Sequence, residues 1–160
     1  MDTVIKDHKF RHPEVEYEQV ADLIIRLAKP HNIVNHLISK KAIMETLAEA
    51  QEVGIIRTWY DSKDSLVGVL MFQIGQQWWS DAICVSEETV LCLNPEYAGI
   101  QREAMRELER IANAWGAKLI VGGNIISANQ KLIENGYMKS GGYHHKSSSF
   151  LKVMRGEDDE

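Results

Sequence analysis

The chain has 160 residues, of which 44% are hydrophobic and 26% are charged. This length and composition predict one globular domain over residues 1–153, large enough to enclose a hydrophobic core, followed by an acidic tail at residues 154–160. The formal net charge of −5 and the scattered Lys and Arg residues argue against nucleic-acid binding, which requires clustered basic side chains.

Hydrophobic periodicity divides the first part of the chain into one strand and two helices. The apolar pair at residues 4–5 predicts a short edge strand. A first helix is predicted from Pro13 until Pro30 ends it, with glutamates in the first turn, where the helix dipole favours negative charge. A second helix is predicted between Ser39, a suitable N-cap, and Gly54, a residue typical of helix C-terminal caps.

Strands dominate the prediction for the rest of the chain. Six further strands are predicted from short apolar or alternating stretches, at residues 55–60, 66–74, 85–93, 118–121, 137–140 and 146–153. Two more helices are predicted at residues 100–115 and 127–135. This order of elements predicts an α/β (α+β) fold in which a mixed, mostly antiparallel sheet of six to seven strands is flanked by four helices.

Cysteine spacing and hydropathy together indicate a cytoplasmic protein without a metal site. Cys84 and Cys92 fall in one predicted strand and the next, without the CxxC or Cys/His spacing of a metal site. We expect both to be reduced thiols in the core. No apolar run approaches the roughly 20 residues of a membrane span, and the first residues lack the apolar segment of a secretion signal.

The most informative segment runs from residue 91 to residue 115. A short apolar run is followed by a turn at Asn94-Pro95, a glycine at Gly99 and a long amphipathic pattern. A strand that leads into a loop opening a helix presents unpaired backbone N–H groups and the positive end of the helix dipole. Such a corner suits a ligand that bears phosphate groups.

Several segments, in matching order and spacing, resemble the GNAT family of N-acetyltransferases. Residues 93–99, LNPEYAG, look like the family's V-x-P-E-Y-R-G entry to its pyrophosphate loop. Residues 109–120 are similar to the helix and fifth strand that follow. Residues 132–137, LIENGY, resemble the family's L-Y-E-K-x-G-F segment with one residue fewer. The resemblance covers residues 66–153 and implies the GNAT acyl-CoA N-acyltransferase fold.

The resemblance also implies acetyl-CoA as co-substrate and a place for it. In that family, two neighbouring parallel strands part at a bulge in the fourth strand, and the cofactor enters the gap. The implied cofactor-binding residues are Leu91, Cys92 and Leu93 for the pantetheine arm, Gly99, Ile100, Gln101 and Arg102 for the pyrophosphate, and Asn129 in the helix beyond.

The pyrophosphate loop departs from the family pattern. The family reads Q/R-x-x-G-x-G/A, whereas residues 98–102 read AGIQR, so the arginine before the first glycine and the later glycines are missing. Glycines let backbone amides approach a phosphate without a Cβ in the way. Gly99, the start of the helix and the charge of Arg102 remain to bind a phosphate.

Acetyl transfer needs a base to take a proton from the ammonium group and an acid for the leaving thiolate. Ile133 occupies the position of the family's acid tyrosine, and an aliphatic side chain cannot donate a proton. We assign the acid to Tyr143 and expect Tyr137 in the core. Because strand alternation points one of two neighbours into the gap, we assign the base to Glu88 rather than Glu87; the alternative is a solvated edge pair.

Trp78 and Trp79 form a second distinctive feature. Two consecutive indoles in an extended segment point to opposite faces, so at least one is expected in a loop or an interface. A substrate platform, a homodimer or partner-protein contact and a cap on the core all remain open. With the GGY segment at residues 141–143 and Lys146, this block also resembles the GNAT-like proteins encoded by bacteriophages.

Two functions compete for this chain. The first is an acetyl-CoA-dependent N-acetyltransferase that acetylates a primary amine of a small molecule or protein by direct attack. The second is a catalytically silent GNAT-fold bacteriophage protein that serves as a structural or protein-binding module, in the host cytoplasm or the phage particle. The altered loop and Ile133 favour the second, and the family resemblance slightly favours the first. A plain α+β domain unrelated to acyl-CoA is the third alternative.

Overall fold

A computed structural model describes residues 3–30, 35–123, 137–139, 142–144, 152 and 154. Its strands are β1 (Ile5–Asp7), β2 (Ile56–Tyr60), β3 (Leu66–Gln76), β4 (Ile83–Cys92) and β5 (Leu119–Val121). Its helices are α1 (Pro13–Ala28), α2 (Lys40–Val53) and α3 (Ile100–Trp115), with a 3-10 turn at Asn35–Leu37. The predicted order of elements is confirmed as far as residue 123.

Capping residues lie at the helix boundaries that the sequence predicted. The Ser39 hydroxyl accepts a hydrogen bond from the Ala42 N–H at 3.2 Å and so caps the start of α2. Gly54 ends α2 with a φ of 81°, and Gly116 ends α3 with a φ of 66°. Only glycine adopts this left-handed conformation at little cost, so the local sequence determines where these helices stop.

The sheet is mixed and mostly antiparallel, as predicted. Its strand order is β1-β2-β3-β4-β5, and the first three pairings are antiparallel while β4 and β5 are parallel. The described residues contain five of the seven predicted strands. The strand predicted at 137–140 is wrong over residues 137–139, which are helical. The helix predicted at 127–135 and most of the strand predicted at 146–153 lie outside the described residues.

Helices cover both faces of the sheet. Helices α1 and α2 pack on one face, in a cluster of buried residues that includes Val20, Leu23, Leu47, Ala50, Tyr60, Val69 and Leu91. Helix α3 packs on the other face, in a cluster that includes Leu70, Phe72, Val85, Ile100, Ala104, Leu108 and Ile111. Side chains that alternate along each strand supply both clusters. None of the described helices is both long and apolar enough to cross a membrane.

A buried carboxylate fastens α3 to the first two strands. Glu107, in the middle of α3, is buried and contacts Lys6 Nζ of β1 at 2.7 Å and Arg57 Nε of β2 at 3.2 Å. It also contacts Arg110 Nη1, one turn along the helix, at 2.9 Å. Burial alone would raise the pKa of Glu107, but the hydrogen bonds and charges of these three cations hold that pKa below its usual range.

Both cysteines lie on one strand, so the prediction that placed them on successive strands is wrong. Strand β4 begins at Ile83, earlier than predicted, and therefore includes Cys84 as well as Cys92. Both are free thiols. Cys84 is buried as expected, whereas Cys92, at the end of the strand, is exposed rather than in the core.

Candidate active site

Strand β4 extends beyond its pairing with β5, which leaves a gap between these strands among the described residues. Within the described part of the chain, the two strands pair at Cys84–Leu119, Val85–Ile120 and Ser86–Val121. Strand β5 ends there, whereas β4 continues to Cys92. From residue 87 onward, no strand among the described residues covers this edge of β4.

A β-bulge lies at the start of this gap, as the family resemblance implied for the fourth strand. On the other edge of β4, Thr89 pairs with Met71 and Glu87 pairs with Phe72, so Glu88 is an extra residue on β4. Because a one-residue insertion reverses the alternation of side chains, Glu87 lies on the α3 face with Phe72, and Thr89 lies on the α1/α2 face. Glu88 is exposed at the bulge.

Glu87 lies among two tyrosines on the α3 side of the gap. Glu87 is 5% exposed and Tyr137 is 8% exposed. The Tyr137 and Tyr143 rings meet edge to face with centroids 4.9 Å apart. Burial, then the charge of Glu87 and a hydrogen bond with it, raise the pKa of Tyr137. Burial, then the charges of Glu109 and Glu87, raise the pKa of Tyr143 to about 12, so this phenol keeps its proton at neutral pH.

The Tyr137 ring lies directly against the backbone of Gly122. A Cβ atom at Gly122 would overlap this ring, so any larger residue there would force the ring to move. Because Ser86 pairs with Val121, Glu87 and Gly122 are the first residues beyond the paired segment on their strands. Tyr137 therefore occupies the point at which β4 and β5 part.

Two amide donors at the start of α3 have no acceptor among the described residues. The Ile100 N–H donates to the Tyr97 carbonyl at 3.1 Å, and the first helical bond runs from the Glu103 N–H to the Gly99 carbonyl at 3.0 Å. No side chain caps the helix at Gly99. Among the residues that the structure describes, the N–H groups of Gln101 and Arg102 have no hydrogen-bond acceptor in a loop, turn or side chain, and the Arg102 side chain is exposed.

Gly68 on β3, which was not predicted as a site residue, lies against the start of α3. A Cβ atom at Gly68 would lie 2.6 Å from Cγ2 and 2.9 Å from Cδ1 of Ile100. Ile100 is 1% exposed, and Gly68 pairs with Cys92. An isolated glycine inside an apolar strand often marks the close approach of another segment, so Gly68 could have been identified from the sequence in this way.

The three residues proposed for the pantetheine arm direct their backbone groups toward different edges of β4. The Leu93 N–H donates to the Val67 carbonyl at 2.9 Å, so its backbone faces β3. Since backbone groups alternate in direction along a strand, those of Leu91 also face β3, while those of Val90 and Cys92 face the open edge. Asn129, predicted to contact the cofactor, lies outside the described residues, as does Ile133.

The tryptophans do not join this corner. Trp78 and Trp79 lie in the turn between β3 and β4, at the end of β4 opposite Cys92. Trp78 is 94% exposed and Trp79 is 62% exposed. The expectation of at least one exposed indole is confirmed, and a cap on the core is excluded for Trp78.

Comparison with known proteins gives a fold-level result. No protein-family model and no curated protein matches the chain. A GNAT family acetyltransferase from Staphylococcus aureus has a TM-score of 0.64 at 13% identity, covering 96% of this chain and 100% of its own. An aminoglycoside N-acetyltransferase in complex with CoA has a TM-score of 0.60 at 12% identity, covering 98% of this chain and 96% of its own.

A ribosomal-protein-alanine N-acetyltransferase from Brucella melitensis has a TM-score of 0.62 at 11% identity, covering 94% of this chain and 99% of its own. Similarities at identities this low show a shared fold and nothing more specific. The chain therefore has the fold of the GNAT acetyltransferases, as the sequence resemblance implied. The finer resemblance to bacteriophage proteins stays a prediction.

Proposed function

We propose that the protein is an acetyl-CoA-dependent N-acetyltransferase that acetylates a primary amine of a small molecule or a protein. The observation that carries this proposal is a coincidence of two features at one end of the sheet. The open edge of β4 and the uncapped start of α3 meet near Cys92, where a molecule with an amide-bearing arm and a diphosphate finds partners for both. The fold shared with acetyltransferases, one of them in complex with CoA, supports the same ligand.

The cofactor would bind through backbone groups rather than through glycine-rich loop residues. The outward-facing backbone of Val90 and Cys92 pairs with the amides of the pantetheine arm. The free N–H groups of Gln101 and Arg102, together with the dipole of α3, bind the diphosphate. The exposed guanidinium of Arg102 adds a charge-assisted bond. In this arrangement, backbone donors at the start of α3 take the role of the later glycines that the loop lacks.

Transfer would proceed by direct attack of the amine on the thioester. The ammonium group first loses a proton to Glu88, which the bulge exposes at the start of the gap. The neutral amine would then attack the acetyl carbon, the carbon–sulfur bond would break, and the departing thiolate would take a proton from the Tyr143 hydroxyl. The second proton of the attacking nitrogen would pass to the resulting Tyr143 phenolate, which leaves a neutral amide, a free thiol and a protonated Tyr143. Glu87 forms a hydrogen bond with Tyr137, whose ring packs against Tyr143, and so orients both side chains. Glu88→Gln is expected to lower kcat at neutral pH, and an unchanged kcat would remove Glu88 from the mechanism.

A titration with acetyl-CoA, with free acetate as control, tests the proposal. A hundredfold excess over the dissociation constant adds about 2.7 kcal/mol to the free energy of unfolding, which raises the melting temperature by several degrees. Release of free thiol is then measured with an aminoglycoside, a small polyamine and a peptide with a free N-terminus. An aminoglycoside is included because one structural neighbour is in complex with a CoA-acetylneamine bisubstrate analogue. No melting shift with millimolar acetyl-CoA would overturn the proposal.

A second function, a silent protein-binding module of bacteriophage type, is favoured by the exposed Trp78 and Trp79. These side chains give the β3–β4 turn a large apolar surface, which is typical of a homodimer or partner-protein contact. This alternative predicts no thiol release with any amine, together with a complex that is lost when both tryptophans are replaced by alanine.

A further inference from the structure

We infer that Gly68 and Ile100 are positioning residues for the cofactor diphosphate. Their contact places the free amides at the start of α3 against the end of β4. The inference rests on the proposed acetyl-CoA site and adds a part of it that lies beneath the ligand. The amide of Ile100 is already bonded to Tyr97, so Ile100 acts through its side chain.

The contact is unusually close because Gly68 has no side chain. The Cγ2 and Cδ1 atoms of Ile100 lie within 3 Å of the place where a Cβ of residue 68 would be, a separation at which one of the two residues must move. Neighbouring positions of β3 carry full-sized side chains, including the buried Val67 and Val69. The first residue of α3 therefore touches the backbone of β3 itself.

The contact between Gly68 and Ile100 positions both the end of β4 and the start of α3. Gly68 pairs with Cys92, whose backbone faces the open edge, and it also receives Ile100, whose next two residues carry the free amides. The loop between them is held to the same place, because Tyr97 N–H bonds to Asn94 and Ile100 N–H bonds to Tyr97. A displacement of Ile100 would move the amides away from the diphosphate, and binding geometry tolerates only about 0.5 Å.

Gly68→Ala tests the inference, with Gly75→Ala as its matched control. Both glycines lie on β3, but a Cβ at Gly75 meets no atom within 4 Å. Each variant is compared using acetyl-CoA and S-acetylpantetheine, which lacks the diphosphate. In Gly68→Ala, we expect acetyl-CoA to bind about tenfold more weakly, the scale of one lost hydrogen bond to a charged group. S-acetylpantetheine binding and kcat at saturating acetyl-CoA should stay within about twofold, and Gly75→Ala should change neither ligand.

A size exchange separates positioning from general damage. Ile100→Ala in the Gly68→Ala background removes the overlapping atoms, and we expect it to recover part of the acetyl-CoA affinity. If Gly68→Ala does not fold, Ile100→Val loosens the same contact and should weaken acetyl-CoA selectively. Equal weakening of both ligands, or unchanged acetyl-CoA affinity in folded variants, would overturn this inference alone. Failure of the unaltered protein to bind acetyl-CoA would overturn the proposed function as well.

Discussion

The end of β4 at Cys92 and the end at Ile83 present very different surfaces. At the Cys92 end, the apolar side chain of Ile100 is buried against Gly68, and the next two backbone N–H groups have no acceptor among the described residues. At the Ile83 end, the turn exposes the large indole of Trp78. The first surface suits a polar ligand that pairs with backbone groups, and the second suits an apolar protein surface. The comparison suggests that ligand binding and partner binding can be changed separately by mutation.

The largest expected effect comes from removing the anchor of α3, which supports the Cys92 end. Glu107→Ala leaves Lys6 and Arg57 without their carboxylate partner, and losing one member of a buried ion cluster typically costs about 3 kcal/mol. Chemical denaturation measures the loss in the free energy of unfolding. Glu103→Ala, which breaks the exposed pair with Arg106 at 3.0 Å, is the control and should cost less than about 1 kcal/mol. Equal losses would show that the buried cluster is not the anchor.

The same cluster predicts a pH dependence of stability. The pKa of Glu107 is lowered in the folded protein, so its contribution is fully present above the unfolded value and is lost as the pH falls through the lowered pKa. Stability should therefore decrease on acidification below about pH 4.5. Glu107→Gln should flatten this part of the curve when denaturation midpoints are compared from pH 3 to 6. A curve of unchanged shape would assign the acid sensitivity to other carboxylates.

A smaller loss in the free energy of unfolding is expected for a substitution at Gly122, where β4 and β5 separate. Gly122→Ala would force the Tyr137 ring to move, and overpacking of this kind costs about 1–3 kcal/mol. The displaced ring would also change the surroundings of Glu87, so acetyl-CoA turnover should fall together with stability. Gly75→Ala is again the control, and both quantities are measured by thermal unfolding and thiol release. A fully stable, active Gly122→Ala variant would contradict the packing of Tyr137 against Gly122.

The smallest expected effect is at the other end of β4. Trp78→Ala removes a side chain that is 94% exposed, so stability should change by less than about 0.5 kcal/mol. Acetyl-CoA affinity should not change, because the turn lies at the opposite end of the strand. Sedimentation measurements of the variant then report whether the indole holds a second copy or another protein. A loss of acetyl-CoA binding would show that the two ends are coupled.

The choice between Glu87 and Glu88 illustrates what the sequence left open. Regular alternation indicated that only one of the two faces the gap but not which one, and the base was assigned to Glu88. The structure inserts the bulge at this residue, which exposes Glu88 and buries Glu87 among tyrosines. A bulge depends on how two strands align with each other, so the β4 sequence alone does not specify it.

The sequence by itself determined the three described α-helices, the five described strands and the corner between β4 and α3. Caps such as Ser39, Gly54 and Gly116 act within a few residues, and hydrophobic periodicity acts within one element. Tertiary structure decided which residues meet across the sheet. Gly68 meets Ile100, and Gly122 meets Tyr137, only because strands and helices from distant parts of the chain pack together. Local chemistry sets where an element begins and ends, whereas close packing between elements sets the geometry of the site.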